Sequence, residues 1–424
     1  MVVIGTDPYD DFQKKVTEFS PDLIAVSCTE DTYLAGVSLL EKVKDRNIKV
    51  IMGGVFTTFA PELVIGNPLI DMICIGEGEV AISKLAQALS TDLSYSNIKN
   101  LWVKQDGQII KNPIEIVDMD DNPLIDIKLF GDSRHYRPMA GTVYRMFPVE
   151  IFRGCPYKCT YCNSPNQSEL YKAESGQKFL RRRSFDNLKK ELLFYKDEMH
   201  AEYLYFWSDT FFSWSSREFD EFCELYRDIN LPFWIQTRPE TVSEPKFRKL
   251  ADIGCHRISF GIEHGNAAFR KKYLARSVSN EKIIKSLKIV NEIGIPYSVN
   301  NIIGFPYETR ELAFDTIRLN LEIDADDRNA YPFTPFHGTP LRKVCDDLGF
   351  TKPDQLVQSL VADGSCLDMP QFSKKEVSGL CRTFNLYLNL PENMWPEIKI
   401  AEQDTDIGNE KHLELVQLVK GLRE

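Results

Sequence analysis

The chain has 424 residues, too long for one ordinary core and suited to two or three. Its formal net charge of −11 disfavours a broad nucleic-acid surface, which would be basic. No run approaches the roughly 20 apolar residues that span a bilayer, and the N-terminus lacks a secretory pattern, so a cytoplasmic protein with no membrane partner is expected.

From the N-terminus, Val2-Val3-Ile4-Gly5 reads as a strand, residues 8–19 as a helix, 23–27 as a strand, 33–43 as a helix, and 50–52 and 72–75 as strands. This alternation predicts a doubly wound α/β domain over residues 1–95. Ser27 ends one strand, and Gly53-Gly54 and Gly76-Glu77-Gly78-Glu79 follow two others, at the edge where such sheets bind ligands. Tight turns explain the glycines equally well. Residues 101–110, with Asp106-Gly107 at the turn, predict a hairpin within a connector over 96–147.

Over residues 148–345, β-rich runs alternate with amphipathic helical stretches. The runs are 149–152, 203–207, 233–237, 257–262, 297–303 and 329–334, and Ser184 reads as the cap of the first connecting helix. Six such units predict a partial (β/α)6 barrel of the TIM type. In such barrels the chemistry lies at the C-terminal ends of the strands, and the unusual polar residues fall there: Asp209, Gln236, Arg238, Glu263 and His264, with Asn300, Asn301 and Gly304 in or at the end of strand five. Singly, Asp209 also reads as a helix cap, Arg238 as a salt-bridge partner and Glu263 as a strand-end carboxylate. Arg181-Arg182-Arg183 reads as a solvated stretch or as a reach toward an anionic group. Residues 346–424 read as helical and polar, without a motif.

The first barrel run leads into Cys155, Cys159 and Cys162, spaced C-x3-C-x2-C. A cubane cluster takes one thiolate per iron, so three close cysteines leave one iron open to another molecule. A zinc site would want paired C-x2-C spacings and a further Cys or His, and no His lies between His135 and His200. A disulfide framework does not suit ten cysteines scattered through a chain without a secretory pattern, and a ferredoxin would need a fourth thiolate. An open-site iron–sulfur cluster is the expectation.

Phe152 to Cys162 resembles the cluster loop of the radical S-adenosylmethionine (SAM) enzymes. The resemblance implies a [4Fe–4S] cluster on the three cysteines, SAM on the open iron, and Tyr161 near the adenine. Gly261-Ile262-Glu263 and Ile303-Gly304-Phe305-Pro306-Tyr307-Glu308-Thr309 resemble the family's fourth- and fifth-strand elements. By chemical type, Arg238 suits the SAM carboxylate, Glu263 or Gln236 its amine and ribose, and Gly304 a close backbone approach to adenine, with Asp209 and Asn301 beside them. Asn329 to Leu341 is similar to the sixth-strand segment, with His337 where proline is common; that histidine reads as solvent-facing or as a substrate contact.

The stretches from Pro21 to Ser27 and from Val50 to Glu79 are similar to the cobalamin-binding domain of the B12-dependent branch, which includes methyltransferases and anaerobic cyclases. This implies a corrin held by Ser27, Gly53, Gly54, Gly76, Glu77 and Gly78. The family domain begins with one more strand and helix, so a shortened N-terminus is expected, with the sheet split where the missing central strand would lie. No D-x-H-x-x-G motif is present, and no axial histidine from this domain is implied.

The function implied is generation of a 5′-deoxyadenosyl radical from SAM, then methyl transfer from cobalamin to an unactivated carbon of a small-molecule substrate, with flavodoxin or ferredoxin as electron donor. The alternatives are a cobalamin-independent radical SAM enzyme, methylthiotransferase-like or catalysing a cyclisation or rearrangement, and a non-enzymatic cobalamin- or redox-sensing cluster protein. A methylthiotransferase would carry a second cysteine trio near its N-terminus, where this chain has Cys28 and Cys74.

Overall fold

A computed structural model describes residues 7–357 and 364–422. The strand expected at Val2-Val3-Ile4-Gly5 lies outside the described residues. The helix Pro8–Phe19 follows, with the Asp7 side chain accepting from the Tyr9 N–H at its start.

Three parallel strands, β1 (Leu23–Ser27), β2 (Lys49–Gly53) and β3 (Met72–Cys74), form the N-terminal sheet. The expected hairpin, β4 (Leu101–Gln105) and β5 (Gln108–Lys111), pairs antiparallel with β3 and extends this sheet, where a connector was expected. Its order is β1-β2-β3-β4-β5, continuous where a split was expected. Among the described residues β1 is an edge strand.

A second sheet has the order β14-β13-β12-β11-β10-β7-β6. Its members are β6 (Tyr136–Met139), β7 (Thr142–Val149), β10 (Tyr203–Phe206), β11 (Phe233–Thr237), β12 (Cys255–Glu263), β13 (Tyr297–Ile303) and β14 (Asp327–Pro332). The six from β7 onward are parallel, and β6 adds an antiparallel edge. The first parallel strand ends at Val149, earlier than the sequence pattern suggested. The next residues form β8 (Phe152–Arg153), paired with β9 (Arg181–Arg182).

The core between this curled sheet and its helices holds Phe147, Val149, Leu204, Phe206, Ile235, Phe260 and Val299. Those positions alternate with the side chains that face inward, because successive strand residues point to opposite faces. Ser184 caps the helix Phe185–Leu193, as its sequence position suggested. The helices Lys374–Asn389, Trp395–Ala401 and Asp406–Gly421 share a second core with Ile303, Phe305 and Leu341, so the C-terminal region covers the outside of the last barrel strands.

Candidate active site

The loop after β8 carries Cys155, Cys159 and Cys162 and is tied down from two sides. Thr160 donates its hydroxyl to the Tyr273 carbonyl at 2.6 Å, and its own carbonyl accepts from the Leu341 N–H at 2.9 Å. Asn163 and Asn166 donate to the carbonyls of His337 and Gly338, each at 2.7 Å. Burial pushes the Cys155 thiol up to about 11 and the Cys162 thiol up to about 12. Both therefore hold their protons at neutral pH until a metal displaces them. Among the described residues no group of three ligating side chains is arranged around a single ion.

Beside the loop, Arg238 at the end of β11 donates from Nη1 to the Cys159 Sγ at 3.3 Å and from Nε to Glu240 at 2.7 Å. Its guanidinium lies 3.7 Å from the centre of the Tyr157 ring. The Tyr161 hydroxyl accepts from Arg276 Nη1 at 3.1 Å, and the same nitrogen donates to Glu263 at 2.9 Å. Burial raises the Glu263 carboxyl, and the Arg276 charge opposes that rise. Asp209 accepts from the Ser164 hydroxyl at 3.0 Å; desolvation raises its carboxyl above the ordinary range. Gln236 donates to the Ser208 carbonyl at 2.7 Å. Six of the expected residues, Tyr161, Asp209, Gln236, Arg238, Glu263 and the cysteine loop's own Cys159, thus gather at one rim.

Asn301 and Gly304 are placed differently. The Asn301 side chain is fully buried on the helix side of β13, exchanging hydrogen bonds with Asn320 at 3.1 and 3.0 Å and donating to the Asn329 carbonyl at 3.0 Å. It is Asn300 that faces inward, donating to Ser259 at 2.8 Å. Gly304 has φ +92°, and a Cβ there would lie 2.7 Å from Val377 of the C-terminal helix. The glycine therefore makes room for the packing of that helix. Its N–H donates to buried Glu308, which also accepts from His264 Nε2 at 3.0 Å. The His264 Nδ1 accepts from the Asn266 N–H, so the ring is the Nε2–H tautomer.

The loops after β1, β2 and β3 open onto a cleft of about 720 Å³, within the range of cofactor sites. Ser27, Gly53, Gly54, Gly76, Glu77 and Gly78 line it from one side, and Gly154, Trp207, Ser208 and Asp209 from the barrel mouth. Glycines at 53, 54, 76, 78 and 154 keep side chains off those parts of the wall, which suits the close approach of a broad ligand such as a corrin.

Glu77 has a further job. Its carboxylate accepts from Arg153, from Arg181 and, at 2.8 Å, from the Val117 N–H, while its own N–H donates to the Tyr171 hydroxyl at 2.7 Å. It therefore braces the N-terminal sheet on the strand pair just before the cysteines. The arginine run at 181–183 is not a solvated stretch, since Arg182 pairs with Glu218 and Arg183 with Glu191. His337 is taken up similarly: its backbone N–H donates to Glu30 at 2.8 Å, and its ring nitrogens lie 2.7 Å from Glu30 and 2.9 Å from the Pro353 carbonyl. Sequence reasoning missed Arg276, Arg153, Glu240, Trp207 and Glu30. Arg276 and Glu30 belong to no spaced motif, and the groups they meet, Tyr161 and His337, lie 115 and 307 residues away in the chain.

Residues 149–319 match the model of the Radical SAM superfamily, and residues 2–86 match that of the B12 binding domain. An uncharacterised methyltransferase of Pyrococcus horikoshii is 27 % identical over 341 residues, which cover 78 % of this chain and 71 % of the relative. The anaerobic magnesium-protoporphyrin IX monomethyl ester cyclase of Rubrivivax gelatinosus is 25 % identical, over 80 % of this chain and 60 % of its own length. The solved structure of the radical SAM methyltransferase TsrM from Kitasatospora setae, with cobalamin and a [4Fe–4S] cluster bound, shares the fold at a TM-score of 0.66 and 14 % identity, over 98 % of this chain and 92 % of that one. No described helix is long and apolar enough to cross a membrane. The cofactors of such a two-part chain are a [4Fe–4S] cluster, SAM and cobalamin. The cysteine loop, the rim of strand-end polar residues and the glycine-walled cleft belong together because the chain is an enzyme of the radical SAM superfamily, with a B12-binding domain ahead of its radical SAM domain.

Proposed function

We propose that this enzyme transfers a methyl group to an unactivated carbon of a small-molecule substrate. The observation that carries this reading is the single cleft in which the loops of the N-terminal sheet meet Gly154, Trp207, Ser208 and Asp209 at the barrel mouth. Cys155, Cys159 and Cys162 would hold the cluster; Tyr161, Arg238, Glu263, Gln236 and Asp209 surround the place for SAM; Ser27 and the glycines at 53, 54, 76 and 78 would bear on the corrin. When bound, these cofactors supply one-electron reduction, a carbon-centred radical and a methyl donor.

The chain's own contribution is placement and exclusion of water. Arg238 sets a fixed cation against a cluster thiolate, and Glu263 offers a held acceptor for an amine. Asp209 and Gln236 present polar groups at the mouth, and Trp207, 62 % exposed, offers an apolar face over which a substrate can lie. Likeness to a named methyltransferase supports methyl transfer, and likeness to a named cyclase supports ring closure as a second reading of the same cleft. A one-electron reductant is the partner that either chemistry requires.

The test is anaerobic reconstitution with iron and sulfide, then dithionite and methyl-deuterated SAM, with or without hydroxocobalamin. The methyl-transfer reading expects corrin retained after desalting, deuterium recovered on that corrin, and 5′-deoxyadenosine that disappears in Cys155→Ala. Nucleoside with no retained corrin would overturn the cobalamin part. Retained corrin that takes no label would favour ring closure.

A further inference from the structure

Arg276 follows the helix Ala267–Tyr273 and belongs to no motif, yet its side chain is only 2 % exposed. Nη1 donates to the Tyr161 hydroxyl and to Glu263, and Nη2 donates to the Gly261 carbonyl at 2.8 Å. Nη2 also lies 3.7 Å from Glu240 Oε2, an atom that is buried and lacks a hydrogen bond, as does Arg276 Nε. A buried arginine with an unsatisfied nitrogen is a poor means of stabilising a fold, because desolvation offsets what the pairing gains.

Two further local features are bent toward the same guanidinium. Glu263 has φ +71°, a left-handed conformation that is strained for a side-chain-bearing residue and collects at functional sites. At Gly261 a Cβ would lie 2.3 Å from the Glu263 carboxylate oxygen, so the glycine leaves the space into which that carboxylate folds back toward Arg276. The strained backbone, the missing side chain and the buried cation therefore fix one geometry: a carboxylate and a tyrosine hydroxyl held on one nitrogen, next to the cysteine loop.

We propose that Arg276 is a positioning residue of the SAM site, holding Glu263 and Tyr161 in the orientation that SAM engages. The inference rests on the assignment of Tyr161 and Glu263 to SAM made above. Arg276 acts through these two groups, to which it is hydrogen-bonded. Glu240 contributes by standing between the two guanidiniums, bound to Arg238 and near Arg276.

The test uses the full-length, anaerobically reconstituted protein as wild type, Arg276→Gln and Arg276→Lys. It reads iron and sulfide content, SAM affinity by equilibrium dialysis, and the electron paramagnetic resonance spectrum of the reduced cluster before and after SAM is added. Arg276→Gln is expected to keep wild-type iron and the SAM-free spectrum, to bind SAM at least tenfold more weakly, and to lose the spectral change on SAM addition. Arg276→Lys keeps the charge without the fork and is expected to recover part of the affinity. Wild-type affinity and spectral response in Arg276→Gln would overturn the inference, whatever happens to thermal stability. Should Arg276→Gln lose its iron, Arg276→Lys decides: weakened SAM binding at wild-type iron content supports the proposal, and unchanged binding overturns it. A wild-type protein that binds no SAM overturns the reading of the site itself, an outcome distinct from a variant that binds normally.

Discussion

Arg238 Nη1 donates to the Cys159 Sγ at 3.3 Å, placing a permanent cation against one ligand of the cluster loop. A donor to a cluster sulfur favours the reduced, more negative state. Arg238→Gln is expected to shift the cluster couple to more negative potential by about 60 mV or more, since a charge-assisted hydrogen bond is worth about 1.5 kcal/mol and a tenfold change in a one-electron equilibrium is about 59 mV. A redox titration followed by electron paramagnetic resonance checks this; an unchanged potential would mean that the contact does not persist once the cluster is bound.

The Glu77 carboxylate joins the N-terminal sheet to Arg153 and Arg181 across 76 and 104 residues of sequence. Removing one partner of a buried ion pair leaves uncompensated charge and costs about 3–5 kcal/mol. Glu77→Ala is expected to lower the first unfolding transition and to speed proteolysis between the two sheets. Glu79 and Glu150, which also pair with Arg153, soften the loss for that arginine but not for Arg181. Calorimetry with limited proteolysis of the purified protein reads both effects.

Asn301 and Asn300 are neighbours with opposite fates. Asn301→Ala is expected to cost about 1–3 kcal/mol, by removing the donor to the buried Asn320 Oδ1 and to the Asn329 carbonyl, and to leave SAM affinity unchanged. Asn300→Ala is expected to leave stability within about 1 kcal/mol while altering ligand binding on the inner face. Denaturant unfolding and equilibrium dialysis on the two variants separate these outcomes.

Glu218 completes a capping box with Ser215 and accepts from Arg182 at 2.9 Å, and these bonds hold its carboxyl down at about 2 against an ordinary 4.5. A depressed carboxyl stabilises the fold above its unfolded value, and the contribution is lost as pH falls from 4.5 toward 2. The wild type is expected to be more stable than Glu218→Gln by about 1 kcal/mol at pH 7, as for other helix caps. That advantage should shrink steadily below pH 4.5, as thermal melts at pH 7, 4 and 3 would show.

Local pattern carried the sequence reading well wherever the chemistry is local. The spacing of Cys155, Cys159 and Cys162 is a property of eleven consecutive residues. The strand runs came from the alternation of residues such as Val299 and Asn300, and the helix at Phe185–Leu193 from its cap at Ser184. The errors also have local causes. Two adjacent asparagines both look polar, and only the register of β13 says that Asn301 turns to the core. The first barrel strand was placed late because its apolar end at Val149 runs straight into the apolar start of β8.

By itself, then, the sequence determined the cluster loop, the parallel sheet behind it and the two-part order of the chain, because each depends on short-range spacing and side-chain periodicity. The tertiary structure alone decided which charges meet. Glu30 reaches His337 across 307 residues, Arg276 reaches Tyr161 across 115, and Glu77, on the wall of the cleft, reaches Arg153 across 76. A buried charge must find its counter-charge in space, and no period or spacing in the chain encodes where that partner lies.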